Sequence, residues 1–409
     1  MAGPLEDIRV LDWTQWQMGT VATAMLADFG AEVIHIENRE TGDHGRALMV
    51  GGMEDLPNGR NAYFETNNRG KKSLAIDLRK EQGKEIIYRL VKNSDVFVHN
   101  FRQGVPEKLK MDYDTLCQYN PKLIYAAASG YGPRGPETGE PAFDMVGLAR
   151  SGIASVIGDE NSPNFPFHGG LADQMGAIMT SYGILLALLI RERHGIGQKV
   201  DVSHLGSMIA LEGLVIGMGL YLRPEQKPED LPEKLTRKNT GNPLWNYYKC
   251  KDGKWLVLGM LQPDIKWSAV CKALGIEHME NDSRYANAIV RRENSEGLIA
   301  VMDEIFVTKT AEEWMKILKE TGDIICTPVQ GIIDLVNDPQ VLANNYIIER
   351  NHEVIGPVRV RGIPVELSKT PGEVKVEAPE FGQHTEEVLI EIGGYSWEDI
   401  AKLREEEVI

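Results

Sequence analysis

Residues 8–37 read IRVLDWTQWQMGTVATAMLADFGAEVIHIE, and this stretch decides the fold class. Ile8 to Asp12 is a short apolar run of the length of a buried strand. Val21 to Phe29 reads as a helix, and Gly30 stands where helices commonly end. Glu32 to Glu37 is a second strand. The turn between, Thr14 to Gly19, lacks the G-x-G-x-x-G spacing, which disfavours a nicotinamide dinucleotide site.

The same alternation continues outward. Ser73 to Leu78 is a third strand, followed by a helix over 80–93 with apolar positions at Ile86, Ile87, Leu90 and Val91. Asp95 to Val98 and Leu123 to Ala127 add two more strands. Repeated β-α units imply a parallel sheet with helices on both faces, and ligands bind such sheets in the loops after the strands. Residues 134–140, RGPETGE, read either as a surface connection or as a lid over a ligand. RERHGIGQKVDVSHL carries a helix end, a turn and a further strand. Residues 223–240 are polar and proline-rich, which suits a linker. Tyr247 to Met260 reads as a hairpin turning at Asp252-Gly253. Helical patterns follow through 263–320, so the middle of the chain reads as a smaller α+β domain. Short β-like runs over 353–375 precede closing helices at Thr385–Ile392 and Trp397–Glu407.

The chain has 409 residues, 60 acidic against 44 basic, for a formal net charge of −16. That balance opposes nucleic acid and anionic membrane surfaces, so a polyanionic ligand needs a local basic site. The first residues lack the charged-then-apolar run of a secretory signal. Cys117, Cys250, Cys271 and Cys326 are far apart, fit no metal-ligand spacing, and suit reduced thiols in a cytoplasm. The apolar stretch 171–190 is about long enough to span a bilayer, but it carries Asp173, Gln174, Thr180 and Ser181. A buried core helix is the better reading.

Asp173 opens that apolar segment after His168-Gly169-Gly170. Two readings stand side by side: an ordinary helix N-cap, or a carboxylate nucleophile in a partly dry site near backbone N–H donors. His168 reads as a plain turn histidine before it reads as a base, and His35, on a strand, as a satisfied core histidine.

Larger blocks of the chain carry a resemblance. PLEDIRVLDWTQWQMGTVATAMLADFGAEVIHIE, NNRGKKSLAIDLRKEQGKEII, SDVFVHNFRQGVPEKL, NPKLIYAAASGYGPRGP, PAFDMVGLARSG, GLADQMGAIMTSYGILLALLIRERHGIGQKVDVSHL, DPQVLANNYIIE and APEFGQHTEEVL occur in this order. Together they resemble the class III (family III) CoA-transferases, which include formyl-CoA transferase and the carnitine and bile-acid CoA-transferases. The resemblance implies a Rossmann-like large domain from residues 1–222 and 336–409. It implies a small domain over 241–335, and two subunits interlocked as rings. It implies no resident cofactor and no metal, coenzyme A thioesters as substrates, and Asp173 as a nucleophile passing through an acyl anhydride and an aspartyl-CoA thioester.

Further positions match the family's site. Gln17 would donate to charge developing at the thioester. Arg39, Lys72, Arg79, Asn100, Phe101, Arg102 and Lys108 would meet the coenzyme, with Asn38 standing where the family more often has a basic residue. Phe143 and Asp144 would line the pantetheine arm. The related α-methylacyl-CoA racemases carry a histidine at the position of Phe143, and phenylalanine cannot exchange a proton, so transferase is preferred to racemase or isomerase. A non-catalytic CoA-binding subunit of a heteromer is the remaining alternative. No glycine-run loop resembling that of the formyl-type member is present, which points to an acid larger than formate or oxalate. Trp16, Met18, Trp245, Tyr247 and Tyr248 read either as lining for such an acid or as core and interface packing.

Overall fold

A computed structural model describes residues 3–47, 56–157, 169–222, 225, 236–322 and 324–409. These residues gather into two compact units. One holds residues from 3–157, 169–222 and 339–409, the other those from 225–338.

The first unit is built on six strands: β1 (Arg9–Trp13), β2 (Glu32–Asn38), β3 (Lys72–Ile76), β4 (Val96–His99), β5 (Ile124–Ser129) and β6 (Gln198–Ser203). Their order across the sheet is β3-β2-β1-β4-β5-β6, and every pair is parallel. The helices that matter here are α1 (Met18–Ala27), α2 (Ala62–Asn68), α3 (Glu81–Lys92), α4 (Asp144–Ser151), α5 (Leu171–His194) and α6 (His204–Leu211).

Alternate strand residues point to opposite faces, and the two cores follow. Leu11, Ile34, Leu74, Phe97 and Tyr125 pack with Ile86, Ile87 and Leu90 of α3 and with Val388, Leu389, Ile400 and Leu403 near the chain's end. On the other face Val10, Val33, Val96, Val98, Ile124 and Ala126 pack with Leu26 of α1 and with Ile184, Ala187 and Leu188 of α5. Burial on both faces is why these strands read as unbroken apolar runs.

The strand order reverses between β1 and β4, whose ends pair as Trp13 with His99. In such sheets the crevice above this reversal is the ligand site. Helix α1 starts at Met18, three residues before the sequence suggests, because Trp16 adopts a left-handed backbone (φ 65°) and folds the turn sharply.

Among the described residues α5 is the one helix long and apolar enough to cross a membrane. One side of it is buried against the sheet and α1, while Ile178, Tyr182, Leu185, Leu186, Leu189 and Ile190 are exposed.

The second unit contains the antiparallel sheet β7 (Trp245–Lys249), β8 (Trp255–Gly259) and β9 (Cys326–Pro328), with Gly253 left-handed in the expected hairpin turn. Helices α7 (Pro263–Leu274), α8 (Ser295–Phe306) and α9 (Ala311–Gly322) supply Trp267, Phe306 and Trp314 to its core. Tyr248 stacks there on Phe306 at 4.7 Å and is fully buried, so of its two readings core packing is the one the structure bears out, not acid-pocket lining. Trp245 and Tyr247 point out of their strand and are half exposed. Most of the polar segment 223–240, read above as a linker, lies outside the described residues. The hairpin β10 (Ile347–His352) and β11 (Gly356–Arg361) and the helices α10 (Thr385–Glu391) and α11 (Trp397–Glu405) return to the first unit.

Candidate active site

A cavity of about 800 Å³ opens at the strand reversal. Its walls come from the turn after β1 (Gln15, Trp16, Gln17), from α2 (Tyr63, Asn67), from the loop after β4 (Asn100, Phe101, Arg102), and from Phe143, Asp144, Asp173 and His204. Thr138 and Glu140 also line it, so the RGPETGE loop is part of the cavity wall.

Helix α5 begins after Gly170, which is left-handed (φ 68°) and makes no side-chain cap. Asp173 does not cap its helix. That task falls to Asp144 at the start of α4, whose Oδ1 accepts the backbone N–H of Ala172 at 2.6 Å and of Asp173 at 3.1 Å. Burial raises the pKa of Asp144 above the usual aspartate range, and the neighbouring Asp173 carboxylate adds to the rise against those two N–H donors. The Asp173 carboxylate is left to face the cavity, where His204 Nε2 meets its Oδ1 at 2.8 Å.

His204 was not singled out from the sequence. It sits in VSHL at the junction of β6 and α6, 31 residues from Asp173, and no local pattern joins the two. His168 lies outside the described residues. His35 is wholly buried and bonded through Nδ1 to Asp12 Oδ2 at 3.0 Å, a structural histidine beneath the β1–α1 turn.

Gln17 stands beside this pair. Its Nε2 donates to Gly169 O at 2.8 Å, leaving a second amide hydrogen for a ligand. Trp16 is held in its strained conformation by Asp43 Oδ1, which accepts its N–H at 3.2 Å, and its indole meets Phe143 edge-on at 5.8 Å. Tyr63 keeps its phenol proton: burial and the surrounding carboxylates of Asp173, Asp43 and Asp144 all raise its pKa.

The expected coenzyme contacts divide. Asn100 lines the cavity but also clamps the β1 turn, donating to Gln15 O at 2.6 Å and accepting from Gln15 N at 2.9 Å. Phe101 packs on Trp13 at 4.2 Å, and Arg102 is exposed at the cavity wall. Lys72 is corrected: it starts β3, at the edge of the parallel sheet opposite the strand ends, and bridges Glu32 and Glu387. Arg79 pairs with Asp77 and Glu40, Arg39 donates to Ile409 O, and Lys108 is exposed; none of the three lines the cavity.

Comparisons with known proteins point to one family. The profile of CoA-transferase family III matches residues 5–385. An acyl-CoA transferase of Fusarium pseudograminearum is 32% identical over 100% of this chain and 88% of its own length. The (R)-2-hydroxy-4-methylpentanoate CoA-transferase of Clostridioides difficile is 31% identical, with 99% of each chain covered. A CAIB/BAIF family protein from Brucella suis superposes with a TM-score of 0.83 at 24% identity, over 96% of this chain and 100% of that one, a likeness of fold. Family profile, full-length relatives and fold converge, and the chain belongs to CoA-transferase family III, a family of enzymes whose substrates are CoA thioesters.

Proposed function

We propose that this enzyme moves CoA from an acyl-CoA donor to an organic carboxylic acid through covalent intermediates on Asp173. The observation that carries the reading is the freedom of that carboxylate: Asp144 satisfies the helix N–H groups, so Asp173 faces the cavity at the strand reversal.

In the proposed sequence Asp173 attacks the donor thioester, CoA thiolate leaves, and a mixed anhydride forms. The thiolate then attacks the aspartyl carbonyl, releasing the donor acid and leaving an aspartyl-CoA thioester. The acceptor carboxylate reverses these two steps to give the new acyl-CoA. Gln17 donates to the thioester oxygen, and Phe143 with Asp144 borders the pantetheine arm. Arg102 meets coenzyme phosphate first, with Arg39, Arg79 and Lys108 further out at the same strand-end edge of the sheet.

A histidine beside an aspartate also invites proton exchange at an acyl α-carbon. Racemisation needs acid and base on opposite faces of that carbon, whereas His204 and Asp173 are bonded to each other. Deuterium wash-in at the α-carbon would favour the racemase.

The cavity volume and its apolar walls, Trp16, Met18 and Phe143, suit an acid larger than formate. A hydroxylated branched acid such as that named for the Clostridioides relative is of this kind. The exposed apolar side of α5 supports a homodimer, measurable as twice the 45.6 kDa chain mass.

Incubation with acyl-CoA followed by mass spectrometry tests the mechanism. CoA is expected bound covalently to the peptide containing Asp173, and Asp173→Ala is expected to lose both the adduct and the exchange. Full exchange in that variant overturns the proposal.

A further inference from the structure

We infer that His204 is a catalytic residue: its Nε2–H donates to Asp173 Oδ1 and stabilises the oxyanion that forms there when CoA sulfur attacks the aspartyl carbonyl. The inference rests on the covalent role of Asp173 proposed above.

The hydrogen position follows from the partner. A carboxylate oxygen without a proton only accepts, so at 2.8 Å the hydrogen sits on Nε2. Both side chains line the cavity, yet they are only 8% and 16% exposed, so water competes little for this bond. The other ring nitrogen, Nδ1, is buried and has no hydrogen-bond partner among the described residues. A histidine kept only for the fold usually has both nitrogens satisfied, and a buried polar atom left alone asks for a reason. Here the ring sits where its Nε2 meets Oδ1 at the expense of Nδ1.

Nearby donors are directed elsewhere: the N–H groups of Ala172 and Asp173 go to Asp144, and the Gln17 amide gives one hydrogen to Gly169 O and keeps the other for the donor thioester, the role proposed above. His204 therefore supplies the hydrogen bond to Oδ1, and Oδ2 is the atom left to attack.

The four covalent steps then divide into two kinds. First, Oδ2 bonds to the donor acyl carbon and the carbon–sulfur bond breaks, releasing CoA thiolate; the negative charge passes through the donor's own oxygen. Second, the thiolate sulfur bonds to Cγ of Asp173, and an electron pair moves onto Oδ1. Collapse breaks the Cγ–Oδ2 bond, and the donor acid departs as its carboxylate. Third, an acceptor carboxylate oxygen bonds to the same Cγ, again charging Oδ1, and thiolate leaves. Fourth, thiolate takes the acceptor acyl carbon and the Asp173 carboxylate is restored. His204 serves the second and third steps, in which charge develops on Oδ1.

The test is the rate at which CoA becomes covalently attached when enzyme and acyl-CoA are mixed without acceptor, read by rapid quench and protein mass spectrometry. His204→Leu is expected to slow attachment by about 10²–10³-fold, the usual effect of removing one oxyanion donor, with acyl-CoA binding unchanged. His204→Gln, whose amide nitrogen reaches the place of Nε2, is expected to stay within about 10-fold of wild type. Attachment in His204→Leu at the wild-type rate overturns the inference. So does a Gln variant that melts like wild type yet is as slow as the Leu variant. If His204→Leu does not fold, His204→Asn, whose shorter amide cannot reach Oδ1, must show the same slowing. Absence of any adduct in the wild-type enzyme removes the Asp173 reading and this one together, an outcome separate from failure in the variants alone.

Discussion

At Gly170 one missing methyl group sets how closely the β1–α1 turn approaches the start of α5. A Cβ there would lie 2.6 Å from Nε2 and 2.8 Å from Oε1 of Gln17, and the residue is left-handed at φ 68°. Gly195, at the other end of the same helix, has φ 70° with nothing within 4 Å of the added carbon. Alanine at either position is expected to destabilise the fold by about 1–2 kcal/mol through the backbone alone. Only Gly170→Ala displaces the Gln17 amide, so thermal melts should fall in both variants while kcat falls in Gly170→Ala alone. A kcat loss of equal size in Gly195→Ala would show that the effect is one of general stability.

At the scale of the element, the β1–α1 turn rests on a buried charged cluster. His35 faces Asp12 Oδ2 at 3.0 Å and Asp43 Oδ2 at 3.3 Å, Lys71 Nζ donates to the same Asp12 oxygen at 2.8 Å, and the Phe64 ring lies beside the imidazole. Burial alone would push the His35 pKa down, but the Asp12 charge and hydrogen bond, with that of Asp43, outweigh it and raise the value to about 9. A raised folded-state pKa contributes stability that is complete below the unfolded value of 6.5 and is lost as pH rises through about 9. Wild-type melting temperature is therefore expected to decline across that window. In His35→Gln, which cannot carry the charge, this component of the decline should vanish; an unchanged slope in the variant would refute the assignment. Asp43 also accepts the N–H of Trp16, so loss of the cluster charge should loosen the cavity wall as well.

The whole molecule carries a formal net charge of −16 and is proposed to bind a polyphosphorylated coenzyme. Among the described residues of the cavity wall Arg102 is the lysine or arginine present. Attraction between exposed charges is screened over about 10 Å at 0.1 M salt, so KM for acyl-CoA is expected to rise several-fold between low and moderate ionic strength. Arg102→Gln should raise KM at low salt, flatten its salt dependence and leave the Asp173 adduct chemistry intact. A variant whose KM keeps the wild-type salt slope would place the phosphates elsewhere.

Most of the sheet was legible in the sequence because β1 to β5 are largely buried on both faces and α3 shows a clear helical period. Such patterns are local, and Ile8–Asp12, Glu32–Glu37 and the 80–93 helix stand within a residue or so of β1, β2 and α3. The ordered blocks that resemble the family likewise pointed to Asp173. Packing decided the rest. Whether Asp173 caps its helix depends on Asp144, 29 residues away, and its hydrogen-bond donor is His204, 31 residues away. Trp16 is left-handed because Asp43 and Phe143 hold it, and Lys72 falls on the wrong edge because strand direction is set by the whole sheet. Residue order fixes hydrophobic period and backbone preference. Which polar groups meet depends on how α4, α5 and α6 pack at the strand ends, and no short window of sequence contains that geometry.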